Sequence, residues 1–219
     1  MRVCGVGPSS LRRFRSAHQA TVQTQLLSNG RYSVMLTTAG SGYSRWGEMA
    51  VTRWREDPTA DCWGTYIFLR DAETGEVWSA GYQPSGVAPD SYNAAFFEDR
   101  VEISRRDGTI ETRMTVAVSP EDYAEVRRIS IFNNGSRSRE IELTSYAEIV
   151  LAPDAADTAH PAFSNLFVQT EFVADLGAIL ATRRRGAPAE PEVWAAHLAP
   201  VDAAPVRGVQ FEPHPRPRL

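Results

Sequence analysis

Short runs in which apolar and polar residues alternate, separated by turn dipeptides, are the feature that most constrains the fold of this chain. The clearest case is the pair of runs 25–28 and 31–39, which flank Asn29-Gly30. Asn-Gly is strongly favoured in tight hairpin turns because both positions tolerate positive φ. We therefore predict a β-hairpin here, with structure beginning at Gln25.

The same pattern continues to residue 198. Further strands are predicted at 64–70, 76–80, 92–98, 101–106, 110–118, 126–132, 140–151, 166–173, 178–184 and 193–198. Clean alternation in 126–132 and 140–151 predicts that these two strands pair through the turn at 133–138, with one face buried and one in water. About a dozen short strands without sustained helical periodicity predict an all-β fold of antiparallel sheets in a sandwich, with few or no helices.

Three segments lie outside this alternation. Residues 1–24 have no clear periodicity and are predicted to be a disordered leader. Residues 199–219 are rich in proline and arginine and are predicted to be a disordered tail. The predicted domain is therefore 25–198. Within it, residues 152–165 form a long connection with one predicted helical turn at 155–159, and long structured loops inside a compact domain are often functional.

Composition excludes several classes of protein. The chain has 219 residues, enough to bury a core, and its two cysteines, Cys4 and Cys62, are too few for a disulfide framework. All 23 basic residues are arginines spread among 27 acidic residues, and the net charge of −4 argues against a nucleic-acid partner. No segment has the roughly 20 apolar residues of a membrane span, and the N-terminal residues lack the apolar run of a signal peptide, so we predict a cytoplasmic protein.

Sequence motifs for catalysis are absent. There is no Gly-x-Ser-x-Gly nucleophile motif, no phosphate-binding loop and no dinucleotide fingerprint. The four histidines are scattered without the spacing of metal ligands, so no metal site is predicted. His160 stands out because it precedes a proline in the long connection, although a loop histidine is more often solvated or structural than catalytic.

Paired carboxylates are the other signature that a β-rich carbohydrate enzyme could carry. The candidate pairs are Glu98 with Asp99, Glu121 with Asp122, and Asp154 with Asp157. Each lies in a turn or loop, where a solvated charge is the ordinary outcome, and nothing in the sequence indicates a raised pKa. We therefore predict no catalytic residue in this chain.

Residues 40–54 contain three glycines, two arginines, Tyr43, Trp46 and Trp54. Glycines allow turns with positive φ, from which aromatic rings and guanidinium groups can be presented to a polar, ring-shaped ligand. The alternative is an amphipathic edge strand whose aromatic residues pack in the core, as buried aromatics usually do.

Five separated blocks of sequence, in order, resemble the N-terminal super-sandwich domain of glycoside hydrolase family 94, formerly glycosyltransferase family 36, and within it the phosphorylase-like region of cyclic β-1,2-glucan synthases. The blocks are QLLSNGRYSVM at 25–35, GSGYSRW at 40–46, AVTRWRED at 50–57, SYAEIVLAP at 145–153 and HPAFSNLFVQTE at 160–171. The resemblance covers about 25–198 and implies a β super-sandwich.

The resemblance also implies a reaction. In such enzymes inorganic phosphate attacks the anomeric carbon, while an aspartic acid on a following helical barrel protonates the departing sugar oxygen. These 219 residues do not contain that barrel, so whether the chain is itself an enzyme is left open. The implied partners are a β-glucan or gluco-oligosaccharide, the helical barrel and a second copy in a homodimer. No cofactor is implied beyond phosphate or a sugar phosphate as co-substrate, and synthase-type relatives are membrane-attached.

The resemblance assigns substrate-binding roles to two stretches. They are Tyr43, Ser44, Arg45 and Trp46 in the aromatic stretch, and His160, Phe163, Ser164 and Asn165 in the long connection. We expect residues 43–45 to face the sugar and Trp54 to pack in the core. The leading hypothesis is a non-catalytic domain that binds carbohydrate and shapes the active site of the barrel. The alternatives are an autonomous carbohydrate-binding module and a non-functional truncated fragment.

Overall fold

The computed structural model describes residues 11–55, 63–159, 164–186, 192–201, 206 and 208–212. In this part of the chain the fold is all-β, with antiparallel strand pairs, one short α-helix and one 3-10 turn, Ala174–Leu176. The strands are β1 (Arg12–Phe14), β2 (Thr24–Ser28), β3 (Tyr32–Thr37), β4 (Gly42–Trp46), β5 (Met49–Thr52), β6 (Tyr66–Asp71), β7 (Val77–Ser79), β8 (Ser91–Phe96), β9 (Arg100–Asp107), β10 (Ile110–Val118), β11 (Glu125–Asn133), β12 (Ile141–Tyr146), β13 (Ile149–Pro153), β14 (Val168–Val173), β15 (Ala178–Arg183) and β16 (Trp194–Leu198); the helix is α1 (Asp154–Ala159).

The chain divides into two compact units. The first comprises Met1–Gly47 and Thr52–Glu148, and the second Glu48–Val51 and Ile149–Leu219. The predicted all-β class is confirmed in both units.

The largest sheet of the first unit has the strand order β1-β8-β9-β10-β11. Its β9–β10 hairpin turns at the predicted Asp107-Gly108, where Gly108 adopts a φ of +58°. Alternate positions of β9 and β10 are fully buried, among them Val101, Ile103 and Val116. This alternation is what the sequence pattern predicted for strands that bury one face against a core.

A second sheet of the first unit contains the β2–β3–β4 meander. The predicted hairpin at Asn29-Gly30 is confirmed, with Gly30 at a φ of +90° and the strands in antiparallel register. Strand β10 lies against β2 and β3. Leu27, Val34 and Leu36 are buried. These two sheets therefore enclose an apolar core between them, as in a β sandwich.

The predicted pairing of residues 126–132 with 140–151 is wrong. Strand β11 pairs with β10 along its whole length, whereas β12 pairs with β6 in a third sheet, ordered β12-β6-β7. The physical reason is an ion pair between Arg139 and Asp71, whose side chain is almost completely buried at the end of β6. This pair draws the chain after β11 toward β6. The predicted 140–151 strand is also split in two, into β12 and β13.

The predicted leader is not without structure. Strand β1 lies within it and pairs with β8, and the ring of Phe14 lies 5.3 Å from that of Phe96. A three-residue strand offers too few positions for a periodic pattern, so the sequence could not reveal it. The boundary predicted at residue 25 is therefore too late for the described residues.

The second unit contains the antiparallel sheet β14-β15-β16 and the neighbouring strands β5 and β13. Ala50, Val150 and Ala152 form a small buried cluster. Helix α1 follows β13 where one helical turn was predicted. In the predicted tail, the ring of Phe211 stacks on that of Phe172 at 4.1 Å. This part of the tail is therefore packed.

No helix in the described ranges is long and apolar enough to cross a membrane.

Asp71 should make the stability of the first unit depend on pH. Burial raises the pKa of its carboxyl, but hydrogen bonds from the backbone N–H groups of Thr74 and Glu73 and from Arg139 outweigh burial and lower it. A lowered pKa stabilises the fold fully above the unfolded-state pKa of about 3.9, and this stabilisation is lost as the pH falls through the folded-state value.

We therefore expect Asp71→Asn to cost stability at pH 7 and progressively less as the pH falls below about 4. The measurement is the free energy of unfolding in urea between pH 7 and pH 3. Asp99→Asn, at an exposed position, is the matched control and should cost less stability at pH 7 than Asp71→Asn. If Asp71→Asn lowers the free energy of unfolding by the same amount at pH 7 and at pH 3, the lowered pKa of Asp71 in the folded state is contradicted.

Candidate functional site

Two glycines shape the entry to β4. Gly40 and Gly42 have φ values of +90° and +151°, and a Cβ on Gly42 would lie 1.8 Å from the carbonyl oxygen of Met35 on β3. The Gly42 N–H donates to the carbonyl of Trp63 at 2.8 Å. Only glycine allows this close approach of two backbones. The start of β4, and so the direction of the side chains that follow, is fixed at this point.

The outer β4 cluster consists of Tyr43, Arg45 and Trp54. The rings of Tyr43 and Trp54 meet edge to face with their centroids 5.5 Å apart, and the Arg45 guanidinium carbon lies 4.7 Å from the centroid of the Tyr43 ring. All three side chains are half-exposed. The prediction that Trp54 packs in the core is therefore wrong, because the residue rests against Tyr43 at the surface of the first unit.

Ser44 and Trp46 point to the opposite face of β4, because successive side chains of a strand alternate. Ser44 is 1% exposed, and its hydroxyl donates to Oε2 of Glu125 on β11 at 2.8 Å. The ring of Trp46 lies 5.8 Å from that of Tyr123. The four consecutive candidates at 43–46 are therefore divided between two faces, and Ser44 is engaged inside the unit.

Ser44 belongs to a buried polar network that the sequence reasoning missed. Glu125 Oε1 accepts from Nε of Arg127 at 3.0 Å, and Arg127 also donates to the carbonyl of Thr65 at 2.9 Å. Burial, and secondarily the negative charge of Glu125, raises the pKa of Tyr32 well above its ordinary value, although a hydrogen bond with Ser44 acts in the opposite direction. Tyr32 is therefore neutral at physiological pH.

The signal for this network was the presence of Glu125 and Arg127 two positions apart on one strand, and thus on one face. Charged residues on a strand are ordinarily solvated, so the spacing alone did not distinguish a buried pair. In the structure their side chains are only 15% and 8% exposed, respectively. The network connects β4 to β11 and holds the inner face of β4 in place.

In the second unit, Ser164 and Asn165 are the described candidates of the long connection. Ser164 is 3% exposed, and its carbonyl and hydroxyl oxygens accept from Arg183 NH1 at 3.1 and 3.2 Å. The same nitrogen donates to the carbonyl of Val150 at 3.2 Å. Asn165 is exposed. The other two candidates, His160 and Phe163, lie outside the described residues.

The carboxylate candidates do not form a pair poised for acid–base catalysis in the described part of the chain. Glu98, Asp99, Glu121 and Asp122 are exposed, as predicted for solvated charges, and Asp99 pairs with Arg100. Asp157 departs from that prediction, because it is buried in α1. Among the residues described, no group of histidine, cysteine and carboxylate side chains could hold a metal ion.

Replacing Gly42 by alanine should destabilise the protein by at least about 2 kcal/mol, because the new Cβ would meet backbone and force β3 and β4 apart. Gly75→Ala is the matched control: Gly75 also has a positive φ, +76°, but a Cβ there meets nothing within 4 Å. Strain in φ alone should cost about 1 kcal/mol. The measurement is the free energy of unfolding in urea. Equal losses for Gly42→Ala and Gly75→Ala would contradict the close approach of the β3 and β4 backbones at Gly42.

Comparison with known proteins finds a matching family and several relatives of this chain. Residues 8–212 match the family described as glycosyl hydrolase 94, supersandwich domain. The chain is 43% identical over 190 residues to a cyclic β-(1,2)-glucan synthase of Rhizobium meliloti, covering 87% of this chain and 7% of that protein. It is 29% identical over 129 residues to a solabiose phosphorylase of Paenibacillus borealis, covering 59% of this chain and 16% of that enzyme.

A third relative is an N,N'-diacetylchitobiose phosphorylase of Vibrio furnissii, 28% identical over 158 residues, which are 68% of this chain and 19% of that enzyme. The chain thus spans less than a fifth of each of these relatives. The family match extends on both sides of the 25–198 range that the sequence blocks indicated. On this evidence, the chain belongs to the supersandwich domain family of glycosyl hydrolase 94.

Proposed function

We propose that this chain is the non-catalytic supersandwich part of an enzyme that synthesises or phosphorolyses β-glucans. The support is its family, together with relatives named as a glucan synthase and as phosphorylases. Most of each relative's length has no counterpart in these 219 residues. General-acid catalysis needs an acid placed against its substrate. In the proposal a helical catalytic domain supplies that acid, and phosphate or a sugar phosphate is the co-substrate.

The observation that carries the proposal furthest is the outer β4 cluster. Tyr43 and Trp54 offer aromatic surface for the apolar face of a sugar ring, and Arg45 offers guanidinium N–H donors for hydroxyl groups. Tyr43 contacts both Trp54 and Arg45, and all three side chains remain half-exposed. In the proposal this cluster borders the substrate of the catalytic domain. Asn165, an exposed residue of the second unit, is a separate candidate for sugar contact in that unit.

The anchoring of β4 supports the same role. A surface that shapes an active site must hold its side chains within a narrow range of positions, which requires support from neighbouring residues. Gly42 fixes the start of the strand against β3, and Ser44 ties it to Glu125. Tyr43 and Arg45 therefore stand on an anchored strand, and Trp54, just after β5, rests against Tyr43. In the proposal a homodimer would bring this surface to the active site of the neighbouring subunit.

The absence of catalysis is tested by supplying the chain with β-1,2-linked gluco-oligosaccharides and inorganic phosphate. The expected result is no formation of glucose 1-phosphate and no glucosyl transfer between oligosaccharides. Turnover by the purified chain that scales with its concentration would contradict a non-catalytic role.

The sugar contact is tested by titrating the labelled chain with the same oligosaccharides and following the signals of individual residues by NMR. We expect weak, saturable changes at Tyr43, Arg45 and Trp54, lost in Tyr43→Ala and in Trp54→Ala. Trp194→Ala, which removes an exposed tryptophan of the second unit, is the control and should leave them unchanged.

No sugar-dependent change at any of the three residues would contradict the proposed contact. Saturation at millimolar or lower sugar, abolished by Tyr43→Ala, would instead identify an autonomous carbohydrate-binding module. The two roles differ because a surface that only borders an active site supplies part of the binding energy, whereas an independent module supplies all of it.

A further inference from the structure

A cavity in the first unit shares no residue with the outer β4 cluster. Its volume is about 220 Å³, and it is lined by residues 15–18, Tyr82 and residues 88–92. Three separate segments of the chain therefore converge on it. We propose that this cavity is an additional binding site for a single neutral sugar ring, such as a terminal or branching glucosyl unit of a glucan.

The walls of the cavity are held by hydrogen bonds before any ligand arrives. The hydroxyl of Tyr92 donates to the carbonyl of Thr38 at 2.7 Å, and the Thr38 hydroxyl donates to the carbonyl of Ala17 at 3.2 Å. The Tyr82 N–H donates to the carbonyl of Ala39 at 2.9 Å. A preformed site does not pay the conformational cost of ordering its walls when the ligand binds.

A buried arginine fixes the segment that joins two of these walls. Arg105 is fully buried, and its guanidinium donates to the carbonyls of Ser79 and Gly81 at 3.0 and 2.6 Å and to that of Val87 at 3.2 Å. Asp107 balances its charge, accepting from Nε at 2.8 Å. These bonds hold the chain on both sides of Tyr82 and just before residue 88.

The lining combines aromatic and polar groups in the way a sugar requires. His18 meets Tyr82 edge to face, with ring centroids 4.5 Å apart, and these rings offer apolar surface to the C–H groups of a pyranose. Arg15 offers N–H donors, and Asp90 offers acceptor oxygens, one of which, Oδ2, already accepts from the Gly108 N–H at 2.8 Å. Donors and acceptors are both present, as hydroxyl groups need.

Charge and size narrow the ligand further. The formal charges of Arg15 and Asp90 cancel, so the lining does not favour an anion such as phosphate over a neutral molecule. The volume is below the roughly 300–1,000 Å³ of pockets that enclose drug-sized ligands. The cavity therefore suits one ring of an oligosaccharide, with the remainder of the chain in solvent.

The choice of a glucosyl ligand rests on the proposed function, but the cavity shares no residue with the outer β4 cluster. A glucan-active enzyme could use such a site to hold another part of a long substrate. Binding at two linked sites raises the apparent affinity for a long chain above the affinity of either site alone. A short oligosaccharide can occupy only one of the two sites, so its apparent affinity is not raised by the second.

The test is a residue-resolved NMR titration of the chain with sophorose, the β-1,2-linked glucose disaccharide. We expect saturable shifts at residues 15–18, 82 and 88–92 that remain in Tyr43→Ala, which removes only the outer cluster's contact. Arg15→Ala and His18→Ala, both at exposed positions, should weaken this binding roughly tenfold. Arg13→Ala, an exposed arginine that does not line the cavity, should not weaken it.

Several results would overturn the site. They are no saturable shift at the lining residues, shifts that Arg15→Ala and His18→Ala leave unchanged, or an equal response to inorganic phosphate in place of sophorose. Loss of the shifts at Tyr43, Arg45 and Trp54 alone would argue against the proposed function and not against this cavity. The two proposals therefore fail separately.

Discussion

The hydrogen bond from Ser44 to Glu125 is the interaction on which the candidate surface depends. It joins β4, at the edge of the meander in the first unit, to β11, at the edge of that unit's largest sheet. Both partners are held by others: the Ser44 N–H donates to the Thr52 hydroxyl at 2.9 Å, and Glu125 accepts from Arg127. A carboxylate that is mostly buried is costly unless it is hydrogen-bonded and paired, and that of Glu125 is both. The network thus fixes the inner face of β4, whereas the side chains of the outer face stay partly exposed.

This division gives adjacent residues different roles. Tyr43 and Arg45 point outward with Trp54, while Ser44 points into the unit. Gly42 adds a steric constraint at the start of the strand, because no Cβ fits against Met35. The outer face of β4 therefore presents aromatic and hydrogen-bonding groups from an anchored strand.

Local chemistry explains how much of the fold could be predicted. Asn29-Gly30 and Asp107-Gly108 specify their hairpins within a few residues, so the sequence predicted both. The pairing of β12 with β6 depends on Arg139 reaching Asp71, 68 residues away, which no short-range pattern encodes. Strand β1 was missed because three residues show no period. The family resemblance supplied the super-sandwich, which alternation alone could not distinguish from other sandwiches.

The site was predicted less completely than the fold. The stretch 43–46 was recognised as a unit, but strand alternation divides it between two faces, and the sequence did not show which face is inner. Trp54 was expected in the core because tryptophans usually are buried, yet it rests half-exposed on Tyr43. The Glu125–Arg127 pair was visible only as two charges on a strand. Its burial depends on the packing of β11 against β4, which is tertiary information.

The free energies of unfolding of Ser44→Ala and Arg45→Ala, measured side by side in urea, test this account most directly. The residues are neighbours on one strand and differ in the face they occupy. Ser44→Ala should cost about 2 kcal/mol, since the part-buried hydrogen bond from the Ser44 hydroxyl to the charged carboxylate of Glu125 is lost. Arg45→Ala should cost less than about 1 kcal/mol, because the contact of its guanidinium with Tyr43 is partly exposed. Equal costs, or a larger cost for Arg45→Ala, would contradict the assignment of Ser44 to an anchored inner face and of Arg45 to a partly exposed outer face.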